Sequence, residues 1–395
     1  MMDIHDFAHN FLKAQERVEK SQLSKRNKEL ISKFIDDLTL QNIGTSRLIK
    51  YTTMIRIVAG KLDVDLDTAT IEDIRKYVSE IQRSSLSPWT KKDYKGVIRK
   101  FYKWHYQCKG KNKYPPIVDW ITTTVKRSEK KLPSSSDLHL EEDIKKMLNT
   151  AENSRDRAFV AILWESGCRI SEIGNLQIKQ LSFDKLGVMF NVQGKTGSRK
   201  IRLISSTAYI ASWLNDHPLR HNRDAALWVN FRGQRKHQAM KYRNIRKMLQ
   251  ELARKAGIQK KVNPHIFRHS RATFMASHLT EFQMNQYFGW IQGSDMPSTY
   301  VHLNGKEVEN AILKLNGIEI AESKKEQQMK PKICTKCNKV NSFDSLHCSQ
   351  CGTVLDLKLA LEMDETQSSA DDTMAKLLKD KDVQSLLLKK LRSLI

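Results

Sequence analysis

The apolar positions of this chain change their period along its length. From about residue 21 to residue 125 they recur three and four apart. "SKRNKELISKFIDDLTLQNIG" sets Leu30, Ile31, Phe34, Ile35 and Leu38 along one helical stripe that stops at Gly44. "TSRLIKYTTMIRIVAGKL" predicts a second helix, opened by a Thr/Ser cap and closed near Gly60. "TIEDIRKYVSEIQRS" predicts a third, with a threonine N-cap and acidic residues in the first turn, where the helix dipole favours them. "SPWTKKDYKGVIRKFYKWHYQCKG" predicts a fourth, carrying Trp89, Tyr94, Ile98, Phe101, Tyr102 and Trp104 among lysines and arginines.

The pattern then breaks. "YPPIVDWITTTVKRSEKKLPSSSD" holds a double proline, a charged run and Pro-Ser-Ser-Ser, the signature of a linker around Pro133. Helical spacing resumes in "LHLEEDIKKMLNTAENSRDRAFVAILWESGCRISEIGNL", where a long helix ends at Gly167 in a polar junction. Next the period falls to two: Val188–Val192 and Lys200–Ile204 alternate as strands around the glycine-rich turn "QGKTGS". Helices return from Thr207. The expected fold class is mainly α: an all-helical domain, an α-rich domain with a small antiparallel sheet, and a small cysteine module. The boundaries read as an N-terminal helix or arm (1–20), a helical domain (21–125), a linker (126–138), the α-rich domain (139–320), the cysteine module (330–356) and an amphipathic helical tail (357–395).

Charge narrows the function. The 395 residues carry a formal net charge of +24, with a pI of about 9.7. From Leu357 onward seven Lys/Arg face seven Asp/Glu, so the excess lies upstream of the tail. Such a field suits a polyanion, because each phosphate neutralised releases counterions. An anionic membrane surface is the rival, but no stretch approaches the roughly 20 apolar residues of a spanning helix, and "MMDIHDFAHNFLKAQERVEK" lacks the pattern of a signal peptide. Nucleic acid is the favoured partner. The aromatic stripe of the fourth helix is more often core, so this reading rests on the cations.

Six cysteines are present. Cys108 and Cys168 stand alone and read as core thiols in a reducing, cytoplasmic setting. The other four form "CTKCNKVNSFDSLHCSQCG", which spaces Cys334, Cys337, Cys348 and Cys351 as two Cys-x-x-Cys pairs. Four thiolates at this spacing can close a tetrahedron around Zn²⁺, leaving no open position for water, so the metal is expected to be structural. A module this short has little core, and metal binding should be what folds it. It resembles a zinc ribbon; His347 beside it reads as a surface residue.

Four separated pieces of the α-rich domain are complementary. "ESGCRISEIGNL" offers Arg169 three residues before Glu172, "QGKTGSRKIRL" presents Lys195 at a hairpin tip, "PHIFRHSRA" offers His265 and Arg268, and "YFGWIQGSDMPSTYVHL" offers Trp290 and Tyr300. In this order they resemble the catalytic set of tyrosine recombinases, the integrase family of DNA breaking and rejoining enzymes. The resemblance spans about residues 139–318, and the helical region before it is similar to the family's core-binding domain.

The resemblance implies an enzyme in which Tyr300 attacks a DNA phosphodiester and forms a 3′-phosphotyrosine. Arg169 and Arg268 would hold the non-bridging oxygens through forked N–H donors. His265 would accept the phenol proton, Lys195 would protonate the departing 5′ oxygen, and Trp290, standing where many members carry histidine, could donate a hydrogen bond but not shuttle a proton. Arg199, Lys200 and Arg202 read as a solvated charge run, Glu172 as a support for Arg169, and His269 and Arg271 as structural or DNA-backbone contacts or, equally, as catalytic. No ATP or catalytic metal would be needed. Double-stranded DNA would be the partner, with four protomers on two synapsed sites and a monomer or weak oligomer when free. The segment "GKEVENAILKLNGIEI", with Val308, Ile312 and Leu315 on one face, would dock on a neighbour or on its own core. The added cysteine module is reminiscent of archaeal integrases, so the setting would be a prokaryote or a virus or mobile element. The rivals are a type IB topoisomerase, with the same chemistry, and a non-catalytic zinc-containing DNA-binding regulator.

Overall fold

The computed structural model describes residues 3–129, 134–194, 197–294, 296–303, 312–313, 315–316, 329–380 and 383–385. It divides into two compact units, Asp3–Leu132 and Pro133–Ile395.

The first unit is all helical: α1 (Phe7–Glu19), α2 (Lys25–Leu40), α3 (Thr45–Ala59), α4 (Ile71–Arg83), α5 (Pro88–His105) and the short α6 (Pro116–Asp119). Its core contains most of the residues that the helical period picks out in α2 and α5, joined by residues of α3 and α4. Ile31, Phe34, Ile35 and Leu38 of α2 meet Ile55 and Val58 of α3, Ile74 of α4, and Ile98, Phe101 and Tyr102 of α5. Thr70 caps α4 in a reciprocal box with Asp73, and Ser87 caps α5 ahead of Pro88 in its first turn. At α3 the cap is Gly44 rather than Thr45, with no side-chain bond. Cys108 is not a core thiol: α5 ends at His105, Gln107 takes a left-handed turn with φ 51°, and Cys108 is left half-exposed. Trp89, 48% exposed, stands clear of the core with the Lys92 ammonium over its ring.

The second unit is built around α8 (Ser154–Ser166), whose residues Ala158 to Trp164 are all buried. A helix apolar on every side must be surrounded. Here α7 (Glu141–Thr150), α10 (Thr207–Asp216) and α12 (Pro264–Ala276) surround it, together with one strand of a sheet. That sheet is antiparallel in the order β1 (Ser182–Asp184), β2 (Gly187–Gly194), β3 (Gly197–Leu203). Its register pairs Val188 with Leu203, Phe190 with Ile201 and Val192 with Arg199. The strand β1, short and exposed, is absent from the hydrophobic pattern because no side of it is buried. The unit also holds α9 (Ile170–Gly174), α11 (Tyr242–Lys255), α13 (Glu281–Phe288) and α14 (Met296–Leu303).

Two short strands, β4 (Lys332–Ile333) and β5 (Val340–Asn341), pair in the cysteine module, and α15 (Leu357–Lys379) follows. Ile312 and Leu315 are exposed, while Val308, their expected companion, lies outside the described residues, as does Pro133 of the linker. No helix among the described residues is long and apolar enough to cross a membrane.

Candidate active site and metal centre

The stretch Asn263–Phe274 places its cations by where its helix begins. Asn263 is the N-cap of α12, its side chain accepting the backbone N–H groups of His265 and Ile266, with Pro264 at the first helical position. His265 therefore falls in the first turn and is exposed, whereas Arg268, three residues on, points inward and is only 8% exposed. The Arg268 guanidinium donates from Nη1 to the Gly167 carbonyl at 2.9 Å and from Nη2 to the Phe288 carbonyl at 2.7 Å. Its carbon lies 5.2 Å and 5.5 Å from the ring centres of Phe288 and Trp290. Burial, and then the charge of Arg169, push its pKa down to about 10, which leaves it a cation at neutral pH. Only two of a guanidinium's five N–H donors are spent on those carbonyls.

Arg169 is fixed by a different device. It is the N-cap of α9, and the Glu172 carboxylate reaches back to its backbone N–H at 2.8 Å. Its side chain donates to Glu172 at 3.2 Å and to the Gly289 carbonyl at 3.1 Å. A third guanidinium joins them. Arg199 holds both oxygens of Glu172, at 2.9 Å and 2.7 Å, and its Nε donates to the Tyr287 carbonyl at 2.9 Å. Burial opposes ionisation of Glu172, but the Arg199 hydrogen bond and the charges of Arg199 and Arg169 win, holding the carboxyl below its ordinary value. Among the described residues three cations thus surround one anion, leaving two positive charges uncompensated in a largely desolvated cluster.

Two left-handed glycines let these groups approach. Gly167 ends α8 at φ 55° and Gly289 ends α13 at φ 61°. A Cβ on Gly167 would lie 2.7 Å from Phe288, and one on Gly289 would lie 2.7 Å from the Arg199 guanidinium. Lys195 lies outside the described residues. Gly194, the residue before it, is beside the cluster: a Cβ there would sit 3.0 Å from the Glu172 carboxylate and 3.5 Å from Arg169. Cys168 is the core thiol its surroundings suggest, buried and with its pKa pushed up to about 11 by desolvation.

Tyr300, on α14, packs with Ala272, Met284, Phe288 and Trp290 and is 1% exposed. Its ring is parallel to the Trp290 indole, with centroids 5.4 Å apart. Its hydroxyl lies 2.8 Å from Nδ1 of His269. Burial pushes the phenol up to about 12, against the pull of Arg268. Tyr287, the nearest other tyrosine, is committed elsewhere: its hydroxyl donates to the Glu165 carbonyl at 3.0 Å and its own carbonyl serves Arg199.

Of the residues singled out in the sequence, Arg169, Arg268, Trp290 and Tyr300 are thus gathered in one neighbourhood, and His265 stands exposed at the start of α12. Arg199 was underestimated, and His269 was left open between a structural and a catalytic reading. Arg199 alternates with Ile201 and Leu203, which puts it on the inward face of β3, and that period-two signal is present in the sequence. His269 carries no comparable signal, because its partner is 31 residues away.

The four module cysteines converge, their sulfur atoms all within 4.8 Å of one another. The Cys334–Cys351 and Cys337–Cys348 sulfur pairs are each 3.5 Å apart. A tetrahedron with metal–sulfur bonds of about 2.3 Å has edges of about 3.8 Å, so these residues fit a tetrahedral thiophilic ion. Asn341 Nδ2 donates to the Cys348 sulfur at 3.7 Å, and His347 is exposed and outside the set of four. The module touches its own unit where Lys145 lies 5.5 Å from the Phe343 ring centre, and just before it the Met329 N–H donates to Glu141 at 2.9 Å.

Residues 139–307 match the phage integrase family. Over 182 residues the chain is 30% identical to tyrosine recombinase XerA of Pyrococcus furiosus, covering 45% of this chain and 62% of that protein. Over 209 residues it is 29% identical to tyrosine recombinase XerC of Salmonella typhi, covering 51% of this chain and 65% of that protein. In both, the matched part is less than two thirds of the relative's length. Among solved structures, XerH recombinase in a post-cleavage complex with its difH substrate is similar at a TM-score of 0.55 and 18% identity, covering 78% of this chain and 96% of that one. A lambda integrase tetramer bound to a Holliday junction is similar at 0.51 and 14%, covering 73% and 80%. The fold is shared with these solved structures. Residues 139–307 are thus similar to the phage integrase family, and the curated relatives matched are tyrosine recombinases.

Proposed function

We propose that this chain is a site-specific DNA recombinase that breaks and rejoins DNA through a 3′-phosphotyrosyl intermediate on Tyr300. The observation that carries the reading is the cluster of Arg169, Arg199 and Arg268 around the single acid Glu172, next to a buried tyrosine. Two surplus positive charges with spare, forked N–H donors suit a phosphodiester, whose pentavalent transition state carries more charge on its non-bridging oxygens than the ground state does. Arg169 and Arg268 hold those oxygens. Arg199 orients Glu172, and Glu172 orients Arg169. Trp290 stacks on Tyr300 and can offer its indole N–H to the phosphate. Lys195, next to Gly194, protonates the departing 5′ oxygen, and the exposed His265 faces the DNA at the mouth of the site.

The phosphotyrosine keeps the energy of the original phosphodiester, so rejoining draws on no ATP, and the arginines supply the charge stabilisation without a catalytic metal. Residues 139–320 act as the catalytic domain and 21–125 as a DNA-binding domain. The partner is double-stranded DNA, engaged by four protomers on two synapsed sites. Cys334, Cys337, Cys348 and Cys351 hold one structural Zn²⁺, which ties residues 330–356 together. The test is a denaturing gel of end-labelled, nicked duplex incubated with the full chain without ATP or magnesium. A protein-linked band is expected from the wild type and none from Tyr300→Phe, with DNA binding retained. An adduct that survives Tyr300→Phe overturns the reading.

A further inference from the structure

The proton of the attacking phenol needs an acceptor, and the residue family assigned to that task from the sequence, His265, is exposed in the first turn of α12. The group in contact with the reacting oxygen is another. His269 Nδ1 lies 2.8 Å from the Tyr300 hydroxyl, with the two ring centroids 5.7 Å apart and tilted by 37°. This is the reach required of a general base. Resting on the reading of Tyr300 as nucleophile, we propose that His269 is the catalytic base that takes the Tyr300 proton during cleavage and returns it during rejoining.

The step balances. The Tyr300 oxygen forms a bond to phosphorus, the bond from phosphorus to the 5′ oxygen breaks, and the phenol proton moves to Nδ1 of His269, making an imidazolium. The 5′ oxygen takes its proton from a separate acid. In rejoining, the 5′ hydroxyl attacks and gives its proton back to that separate group, while the bond from phosphorus to the tyrosine oxygen breaks and the departing oxygen recovers the proton from His269. A hydrogen bond from the phenol to Nδ1 requires the imidazole to be neutral with its other nitrogen protonated. The surroundings favour that form: burial, then His265 and Arg268 on its own helix, hold His269 below its ordinary value. Tyr300 on α14 is the group facing it from another element among the described contacts. Burial holds the Tyr300 phenol above its ordinary value, and Arg268, the immediate chain neighbour of His269, offsets part of that rise. Base and phosphate-holding arginine therefore belong to one rigid turn of α12, and the geometry between them does not depend on how α14 approaches the DNA.

The test measures the single-turnover rate of adduct formation by the full chain, on a duplex with which the wild type forms the Tyr300 adduct. His269→Asn keeps an acceptor near the position of Nδ1 but not its basicity, and His265→Asn is the control. Each is assayed from pH 5 to 8 on DNA with an ordinary 5′ oxygen leaving group and with a 5′ sulfur that leaves without protonation. His269→Asn is expected to slow adduct formation about 100-fold, to remove the fall in rate at acid pH, and to gain nothing relative to wild type from the sulfur, with DNA binding and melting temperature unchanged. An unchanged or faster rate would mean that His269 only stores the tyrosine, and rescue by sulfur would make it the acid; either overturns the proposal. Loss of the acid limb in His265→Asn instead would return the role to His265. Adduct formation by Tyr300→Phe would sink the reading of the nucleophile itself, a separate failure.

Discussion

The two units handle positive charge differently. In the helical unit the hydrophobic cluster of α2 to α5 includes no arginine: Lys92 stands outside it beside the exposed Trp89, and the buried cation of α5 is a lysine, Lys95. In the second unit Arg199 and Arg268 are drawn inside, where a charge without a partner is expensive. They are tolerated there because Glu172, three backbone carbonyls and two left-handed glycine turns are arranged around them. A surface cation can be lost at little expense and adds affinity for any polyanion. A buried one is held in a single orientation, which is what charge stabilisation of a transition state requires. The contrast separates binding from chemistry.

The largest effect expected is confined to the cysteine module. Zinc sites of this type supply on the order of 10 kcal/mol of folding free energy. Chelation, or Cys337→Ser, should therefore unfold residues 330–356 and expose their amides to hydrogen exchange, while α2 to α5 keep their protection. One zinc per chain by elemental analysis is the matching expectation; protection that is indifferent to chelation would contradict the assignment.

Next comes the arginine cluster. Glu172→Gln removes the acid that Arg199 and Arg169 share among the described residues, and breaking a buried pair costs roughly 3–5 kcal/mol, to be read from denaturant unfolding of the second unit. The pH dependence has a defined sign. Because the Glu172 carboxyl is held below its ordinary value of 4.5, its contribution is complete above that value and is lost as the pH falls through the lower folded value. The variant should lack that part of the acid destabilisation.

The smallest effect is expected outside. Lys92→Ala should weaken DNA binding by about tenfold or less and reduce the salt slope by about one, leaving the rate of adduct formation at saturating DNA unchanged. A rate defect in Lys92→Ala, or a pure binding defect in Arg268→Ala, would break the contrast between the units.

The same contrast explains what the sequence made legible. Helical spacing picked out the core of the first unit, because burial there follows the period of a single helix: Ile31, Phe34, Ile35 and Leu38 are all buried. Period two located the β2–β3 hairpin for the same reason, and the spacing of the cysteines anticipated a cluster that does converge. The ordered set of Arg169, Arg268, Trp290 and Tyr300 was recognisable as a set, but its internal geometry was not. Arg199 looked like one more charge on a solvated hairpin, although alternation with Ile201 and Leu203 points it inward. His269 was obscure because its role depends on where α14 lies against α12, a tertiary relation that leaves no periodic trace. Cys108 was misjudged because a left-handed residue at Gln107 turns the chain outward just before it.

The central claim is that Tyr300 becomes covalently joined to DNA within the arginine cluster. It is tested most directly by trapping the intermediate on nicked duplex, digesting the protein and sequencing the nucleotide-linked peptide by mass spectrometry. The account predicts a single linkage, through a 3′ phosphate, on the peptide that contains Tyr300. Linkage through Tyr287 or any other side chain, or through a 5′ phosphate, would contradict it.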